Sequence, residues 1–167
     1  MDKTYISWDQ VYKDIDTLSM LVALRKKPDA IVAIGRGGLI PATILSYNLN
    51  VKVVQNFQIE SYEGQTKTGS HKLWQNPSDY FVATFKNKNV LVVDDLADSG
   101  NTLRLVKRFF EYRDINLQFV TLYTKKGTAF TPDVSLREYS TEEWIVFPWE
   151  EMNSACTPCN KQLYFNI

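Results

Sequence analysis

Val92-Val93-Asp94-Asp95-Leu96-Ala97-Asp98-Ser99-Gly100-Asn101-Thr102 runs from a buried apolar stretch through two adjacent carboxylates into a short polar loop, and then into helical sequence. In an open α/β sheet, ligands settle beyond the carboxyl ends of the strands, where loop amides and a helix N-terminus meet an anion. Asp98 to Thr102 therefore reads as a phosphate cradle. Gly100 lets the backbone approach the anion closely, and the Ser99 and Thr102 hydroxyls add donors without net charge. Asp94 and Asp95 would repel a phosphate if aimed into the cradle, so they belong at its rim, facing ribose hydroxyls or a hard Mg2+ ion. A sugar phosphate with magnesium is implied. A plain strand-to-helix turn capped by Asp98 would explain Asp98, Ser99 and Gly100, but it gives no reason for tandem carboxylates at a strand end.

Working outward, Val90 to Val93 reads as a buried strand, Thr102 to Tyr112 as the following helix and Phe119 to Tyr123 as the next strand. Upstream, Ala30 to Ile34 is continuously apolar, as in a strand buried on both faces, and it runs into Gly35-Arg36-Gly37-Gly38. Pro41 suits the first turn of a helix over Ala42 to Tyr47, and Val51 to Phe57 gives another β-branched strand. Ser7-Trp8-Asp9-Gln10 reads as a capping box, after which Val11, Ile15, Leu18 and Val22 recur at helical spacing. Strands alternating with helices predict an α/β fold with a doubly wound, mainly parallel sheet. Residues from about 58 to 88 change character. Glu63 to Ser70 is polar and glycine-punctuated, with Tyr62, Trp74, Tyr80 and Phe81 around it, which reads as a flexible hood over the carboxyl ends of the strands. The tail from about 153 to 167 has no assignable pattern.

A chain of 167 residues fits one domain spanning 1–167, because a single hydrophobic core serves roughly 100 to 200 residues. Nineteen basic and nineteen acidic residues cancel. No nucleic acid partner and no stable membrane association are therefore expected, and an anion must be captured locally. The apolar runs are too short to span a bilayer and Met1-Asp2-Lys3 opens no signal peptide, so a cytoplasmic location is expected. Cys156 and Cys159 form half a zinc site with no partner pair, and His71 is the single histidine. Ordinary thiols in a reducing compartment are the simpler reading.

Four apolar residues, Asp94-Asp95, two further residues and Asp98-Ser99-Gly100-Asn101-Thr102 together resemble the phosphoribosyl-pyrophosphate signature of type I phosphoribosyltransferases. The likeness to the bacterial xanthine-guanine phosphoribosyltransferases extends from Tyr5-Ile6-Ser7-Trp8-Asp9 to Trp144-Ile145 and Pro148-Trp149. It implies transfer of a phosphoribosyl group from phosphoribosyl pyrophosphate to N9 of a 6-oxopurine (xanthine, guanine or hypoxanthine), with Mg2+ as cofactor and a homodimer or homotetramer as the assembly. It implies that Arg36, Gly37 and Gly38 form the pyrophosphate loop, with Gly35 standing where the family usually carries a small polar residue, commonly serine. Ser61-Tyr62 matches the start of the family's hood loop, and Lys67 is the nearest basic residue to close over pyrophosphate. Asp94, Asp95, Asp98, Ser99, Gly100, Asn101 and Thr102 would hold the ribose phosphate, with Asp94 and Asp95 also at the metal and Asp98 accepting a proton at the purine N7. Lys125, with Lys126 as its rival, would donate to O6, Trp144 would stack on the base, and the Ile145 backbone would read the edge near its 2-position. Glu150 matches a family carboxylate near the base and pyrophosphate pocket, where it would touch a second magnesium.

Three other readings use the same residues. One is a phosphoribosyltransferase for adenine, orotate or uracil, against which Lys125 and Trp144-Ile145 speak. Another is a non-catalytic phosphoribosyl-pyrophosphate-binding regulator, which calls for an added nucleic-acid module or a basic face. A third, a structural module with a decayed site, predicts no magnesium-dependent ligand binding.

Overall fold

Ser7 sets the first helix: its hydroxyl accepts from the Gln10 N–H at 3.2 Å, and the helix α1 follows over Trp8–Ala23. The reciprocal half of the capping box is absent, because the Gln10 side chain donates instead to Asp14 at 2.8 Å. In this computed structural model, which describes residues 2–61, 71–75 and 77–150, the element order is β1 (Asp2–Tyr5), α1, β2 (Ala30–Gly35), α2 (Leu39–Asn48), β3 (Val54–Ser61), β4 (His71–Gln75), α3 (Asp79–Thr84), β5 (Asn89–Ala97), α4 (Asn101–Phe110), β6 (Asn116–Lys125), β7 (Arg137–Tyr139) and β8 (Glu143–Val146).

Six strands form the main sheet in the order β4-β3-β2-β5-β6-β7, all parallel except β4, which runs antiparallel to β3. Every residue of β2 is buried, as its unbroken apolar run requires. One core layer lies between the sheet and α1 with α2, and holds Val11, Ile15, Leu18, Ala33, Leu45, Val93 and Leu122. The other lies under α3 and α4, and holds Val32, Phe57, Phe81, Val92, Leu103 and Phe119. The doubly wound α/β reading of the sequence is therefore the observed architecture.

Several boundaries differ from those the sequence predicts. Helix α2 starts at Leu39 and not at Ala42, with Pro41 inside its first turn as the sequence predicts. Proline is tolerated there because N–H groups of the first turn have no intrahelical partner. Strand β3 begins at Val54 and not at Val51, and β5 continues through Asp94 and Asp95 to Ala97 instead of ending at Val93. The longer β6 supplies the ladder partners that extend it: Asp94 pairs with Thr121, Leu96 with Tyr123 and Ala97 with Thr124. The presumed hood is also not all loop. Residues 58–61 and 71–75 belong to a β3–β4 hairpin, and α3, capped by Ser78, sends Phe81 into the core with Phe85 behind it. The predicted hood residues 62–70, including Lys67, and the tail with Cys156 and Cys159 lie outside the described residues. The small parallel pair β1–β8 joins the start of the chain to Glu143–Val146. No described helix is long and apolar enough to cross a membrane.

Candidate active site

Parallel strands place all their following loops at one edge of the sheet, so the segments after β2, β5 and β6 converge without being adjacent in sequence. The loop Gly35-Arg36-Gly37-Gly38 lies directly against the acid pair. A β-carbon on Gly37 would fall 1.9 Å from Asp95 Oδ2. One on Gly38 would meet the carbonyl oxygens of Val93 and Ile34 at 2.5 and 2.6 Å and Asp94 Cα at 2.9 Å. Only glycine permits this approach. The Gly35–Arg36 peptide bond is cis, and the Arg36 side chain is exposed.

Asp94 and Asp95 are anchored through one oxygen each. Asp94 Oδ1 accepts from the Asp95 N–H at 3.0 Å, and Asp95 Oδ1 accepts from the Leu96 N–H at 2.8 Å. Burial drives the Asp94 carboxyl well above the usual range for an aspartate, and the neighbouring Asp95 charge pushes it further. Burial likewise pushes Asp95 to about 6, and the Glu150 carboxylate adds to the rise. Neither of the ion pairs seen among the described residues, Lys86–Asp114 and Arg137–Asp14, involves this acid pair. A buried and a half-buried carboxylate with no basic side chain paired to them among the described residues form a hard-oxygen site suited to a divalent cation.

Past the end of β5, Asp98 and Ser99 are exposed, and Gly100 takes the left-handed conformation (φ 77°) as the residue before α4. No side chain caps α4 through its N-cap residue. The Asn101 N–H makes only a long 3.4 Å bond to Ser99 Oγ, so the N–H groups of the first turn face a prospective anion. Sequence reasoning missed what backs this turn. The loop after β6 lies behind it: Ala129 N–H donates to the Ser99 carbonyl at 2.9 Å, and a β-carbon on Gly100 would meet Phe130 N and Thr128 Oγ1 at 2.5 Å. The rule that ligand loops follow strand ends was the available signal, and it applied to β6 as well as to β5.

Lys125, the last residue of β6, is buried, and its Nζ donates to the Glu143 carbonyl. Lys126, in the turn that follows β6, is exposed, so burial separates the two candidate lysines. The Lys125–Glu143 contact brings the end of β6 against β8, where Trp144 is half exposed and Ile145 is buried and paired with Thr4 of β1. A half-exposed indole next in sequence to the carbonyl that holds a buried ammonium can accept a planar base. A second network fixes this corner. Tyr123 OH donates to Asp14 Oδ2 at 2.6 Å, while Gln10 and Arg137 donate to Asp14 Oδ1 at 2.8 and 3.2 Å. Burial and the Asp14 carboxylate together raise the Tyr123 phenol far above its ordinary range, so it stays a donor. Tyr123 also stacks on Phe147, and Phe147 on Trp149. Glu150 accepts from the Phe147 N–H at 2.9 Å and lies close enough to Asp95 to influence its titration.

Of the residues that the sequence singles out, Arg36, Gly37, Gly38, Asp94, Asp95, Asp98, Ser99, Gly100, Asn101 and Thr102 therefore gather around one edge of the sheet. Lys125, Trp144 and Ile145 gather beside it.

A family model described as "Phosphoribosyl transferase domain" matches residues 7–153. The xanthine-guanine phosphoribosyltransferase of Nitratidesulfovibrio vulgaris is 32% identical over 145 residues, covering 87% of this chain and 83% of its own. The protein of the same name from Chromohalobacter salexigens is 37% identical over 145 residues, covering 87% and 82%. Among solved structures, a purine phosphoribosyltransferase from Pyrococcus horikoshii superposes with a TM-score of 0.79 at 32% identity, over 90% of this chain and 95% of that one.

Proposed function

The chain belongs to the phosphoribosyl transferase domain family, and from that premise we propose that it is a purine phosphoribosyltransferase, moving the 5-phosphoribosyl group of phosphoribosyl pyrophosphate onto N9 of a 6-oxopurine and releasing pyrophosphate. The observation that carries this is the convergence of three strand ends at one edge of the sheet: the glycine loop closed on Asp95, the phosphate turn after β5, and a buried lysine with a half-exposed tryptophan at the end of β6.

In this reading the turn Asp98–Thr102 and the start of α4 hold the 5′-phosphate through backbone N–H groups and the Ser99 and Thr102 hydroxyls. Asp94 and Asp95 hold the ribose hydroxyls, and Arg36, Gly37 and Gly38 hold the pyrophosphate. Lys67 of the hood is the proposed further contact to it. The bond from C1 of ribose to pyrophosphate breaks as the purine nitrogen approaches, and positive charge grows on the sugar ring. Preorganised carboxylates beside that ring stabilise the charge, so no covalent nucleophile is needed. Asp98, exposed at the mouth of the site, accepts a proton at the purine N7. Lys125 exchanges its bond to the Glu143 carbonyl for one to the base O6, Trp144 stacks on the ring, and the Ile145 backbone meets the 2-position edge. Such stacking contributes about 1 to 3 kcal/mol per base.

Mg2+ fits the acid pair: Asp94 and Asp95 each keep one oxygen free of backbone bonds, their ionised forms are destabilised by burial, and no basic side chain is paired with them among the described residues. When bound there, magnesium would neutralise the departing pyrophosphate. A single domain with its hood over the strand ends, assembled as a homodimer or homotetramer in the cytoplasm, completes the proposal, and the family resemblance supports that assembly.

The test is pyrophosphate release from phosphoribosyl pyrophosphate with Mg2+ and guanine, xanthine, hypoxanthine or adenine in turn. Turnover with the 6-oxopurines and little with adenine is expected. Tight ligand binding without turnover on any base would favour the regulator instead, and turnover on adenine alone would reassign the base pocket.

A further inference from the structure

Asn56 leaves the middle of β3, in register with Ala33 of β2, and its side chain comes up beneath the glycine loop. Two separate observations single it out. Its Oδ1 is fully buried and has no hydrogen-bond partner among the described residues, although the β2–β3 backbone pairing runs through it. An unmade bond at a buried amide is a liability that folded proteins rarely leave standing unless another state satisfies it. The second observation is where the group sits. A β-carbon on Gly35 would lie 2.6 Å from Asn56 Oδ1 and 3.4 Å from its Cγ and Nδ2. The carboxamide thus occupies the space in which a side chain at position 35 would begin. A carboxamide turned about its last bond exchanges acceptor for donor at the same spot, so this one can offer an N–H where it now presents an oxygen.

We propose that Asn56 is a positioning residue for the pyrophosphate leaving group, acting on the loop 35–38 in place of a polar side chain at position 35. The inference rests on the reading of this loop as the pyrophosphate site. Gly35 gives up its own side chain, and the neighbouring strand supplies the polar group through the gap. Asn56 is held by β3, a strand paired on both sides, and not by the loop itself, so its side chain is in place before the ligand arrives and steadies the turn that aims the Arg36 and Gly37 backbone at the anion. Asn56 lies on β3, which β2 separates from β5 and the phosphate turn that follows it. Its effect should therefore fall on pyrophosphate and on phosphoribosyl pyrophosphate, and not on the product nucleotide, which has no pyrophosphate arm.

The experiment is a pair of equilibrium titrations on the full chain, with Mg2+ present, using pyrophosphate and whichever of guanosine, xanthosine or inosine monophosphate the wild type binds most tightly. Asn56→Ala is expected to weaken pyrophosphate about five- to thirty-fold, the worth of one buried hydrogen bond, with nucleotide affinity held within twofold. Gly35→Ser alone should also weaken pyrophosphate, because its β-carbon meets the amide. The pair Gly35→Ser with Asn56→Ala should recover most of the loss, since the new hydroxyl then has both room and purpose. Unchanged pyrophosphate affinity in Asn56→Ala would overturn the proposal. So would a parallel loss of both ligands, which marks a merely structural role, or strictly additive effects in the pair. A wild type that binds nucleotide but not pyrophosphate would remove the proposal together with the assignment of loop 35–38. One that binds neither would overturn the functional reading beneath both.

Discussion

Replacing Asp95 by Asn should make the ligand-free protein more stable at neutral pH while abolishing its use of phosphoribosyl pyrophosphate. Burial raises the Asp95 carboxyl from 3.8 to about 6. Between those two values the native state holds a proton that the unfolded chain has released, so stability falls as pH rises through this window and stays low above it. At about 1.4 kcal/mol per pH unit, keeping Asp95 ionised at pH 7.5 costs the fold about 3 kcal/mol. Asn keeps an oxygen for the Leu96 N–H but turns a new donor toward the crowded Gly37, which returns part of that gain and leaves about 2 kcal/mol. For a domain of this size that is a rise of about 4 to 8 °C in Tm. The assay is urea unfolding of wild type and Asp95→Asn from pH 4.5 to 7.5, without and with Mg2+ plus phosphoribosyl pyrophosphate. The variant's advantage should shrink toward zero at pH 4.5, where the native Asp95 keeps its proton, and should shrink again when ligands stabilise only the wild type. A variant less stable than wild type at pH 7.5, or an advantage that does not vary with pH, would refute the claim that an unpaired buried charge is held at this site.

The two loop glycines should fail differently when changed to alanine. Gly38→Ala drives a methyl into two backbone carbonyls and should cost about 1 to 3 kcal/mol in unfolding free energy, whereas Gly37→Ala meets only the end of the Asp95 side chain and should spare stability while raising the KM for phosphoribosyl pyrophosphate. A larger stability loss at Gly37 than at Gly38 would contradict this packing. Asp98→Asn should lower kcat by about 10²- to 10⁴-fold with phosphoribosyl pyrophosphate binding nearly intact, measured by steady-state kinetics against direct titration; a loss confined to binding would remove Asp98 as proton acceptor. Lys125→Met keeps the apolar stem in its buried position and removes the donor, so turnover of 6-oxopurines should drop by about 10-fold or more while adenine, which lacks O6, is spared. Equal losses on both kinds of base would return Lys125 to a structural role.

The sequence settled much of this protein because its signals were local. An unbroken apolar run needs a strand covered on both faces, as β2 is; a left-handed turn before a helix needs the glycine found at 100; and alternation of strands with helices permits few arrangements besides a doubly wound sheet. Those constraints were enough to collect the acid pair, the phosphate turn and the glycine loop at one edge. They could not set where β5 ends, because its last rungs are supplied by β6, a partner more than twenty residues further on. Nor could they show that the stretch after Ser61 returns as a strand and then as a helix packed on the core, since polar residues at a strand edge look like loop until a neighbour pairs with them. Tertiary structure alone distinguished Lys125 from Lys126, brought Glu150 within electrostatic reach of Asp95, and set Asn56 under Gly35. The physical reason is the same in each case: propensity and periodicity act along the chain, whereas charge, exclusion of volume and the unmade hydrogen bond act across space between residues that no spacing rule connects.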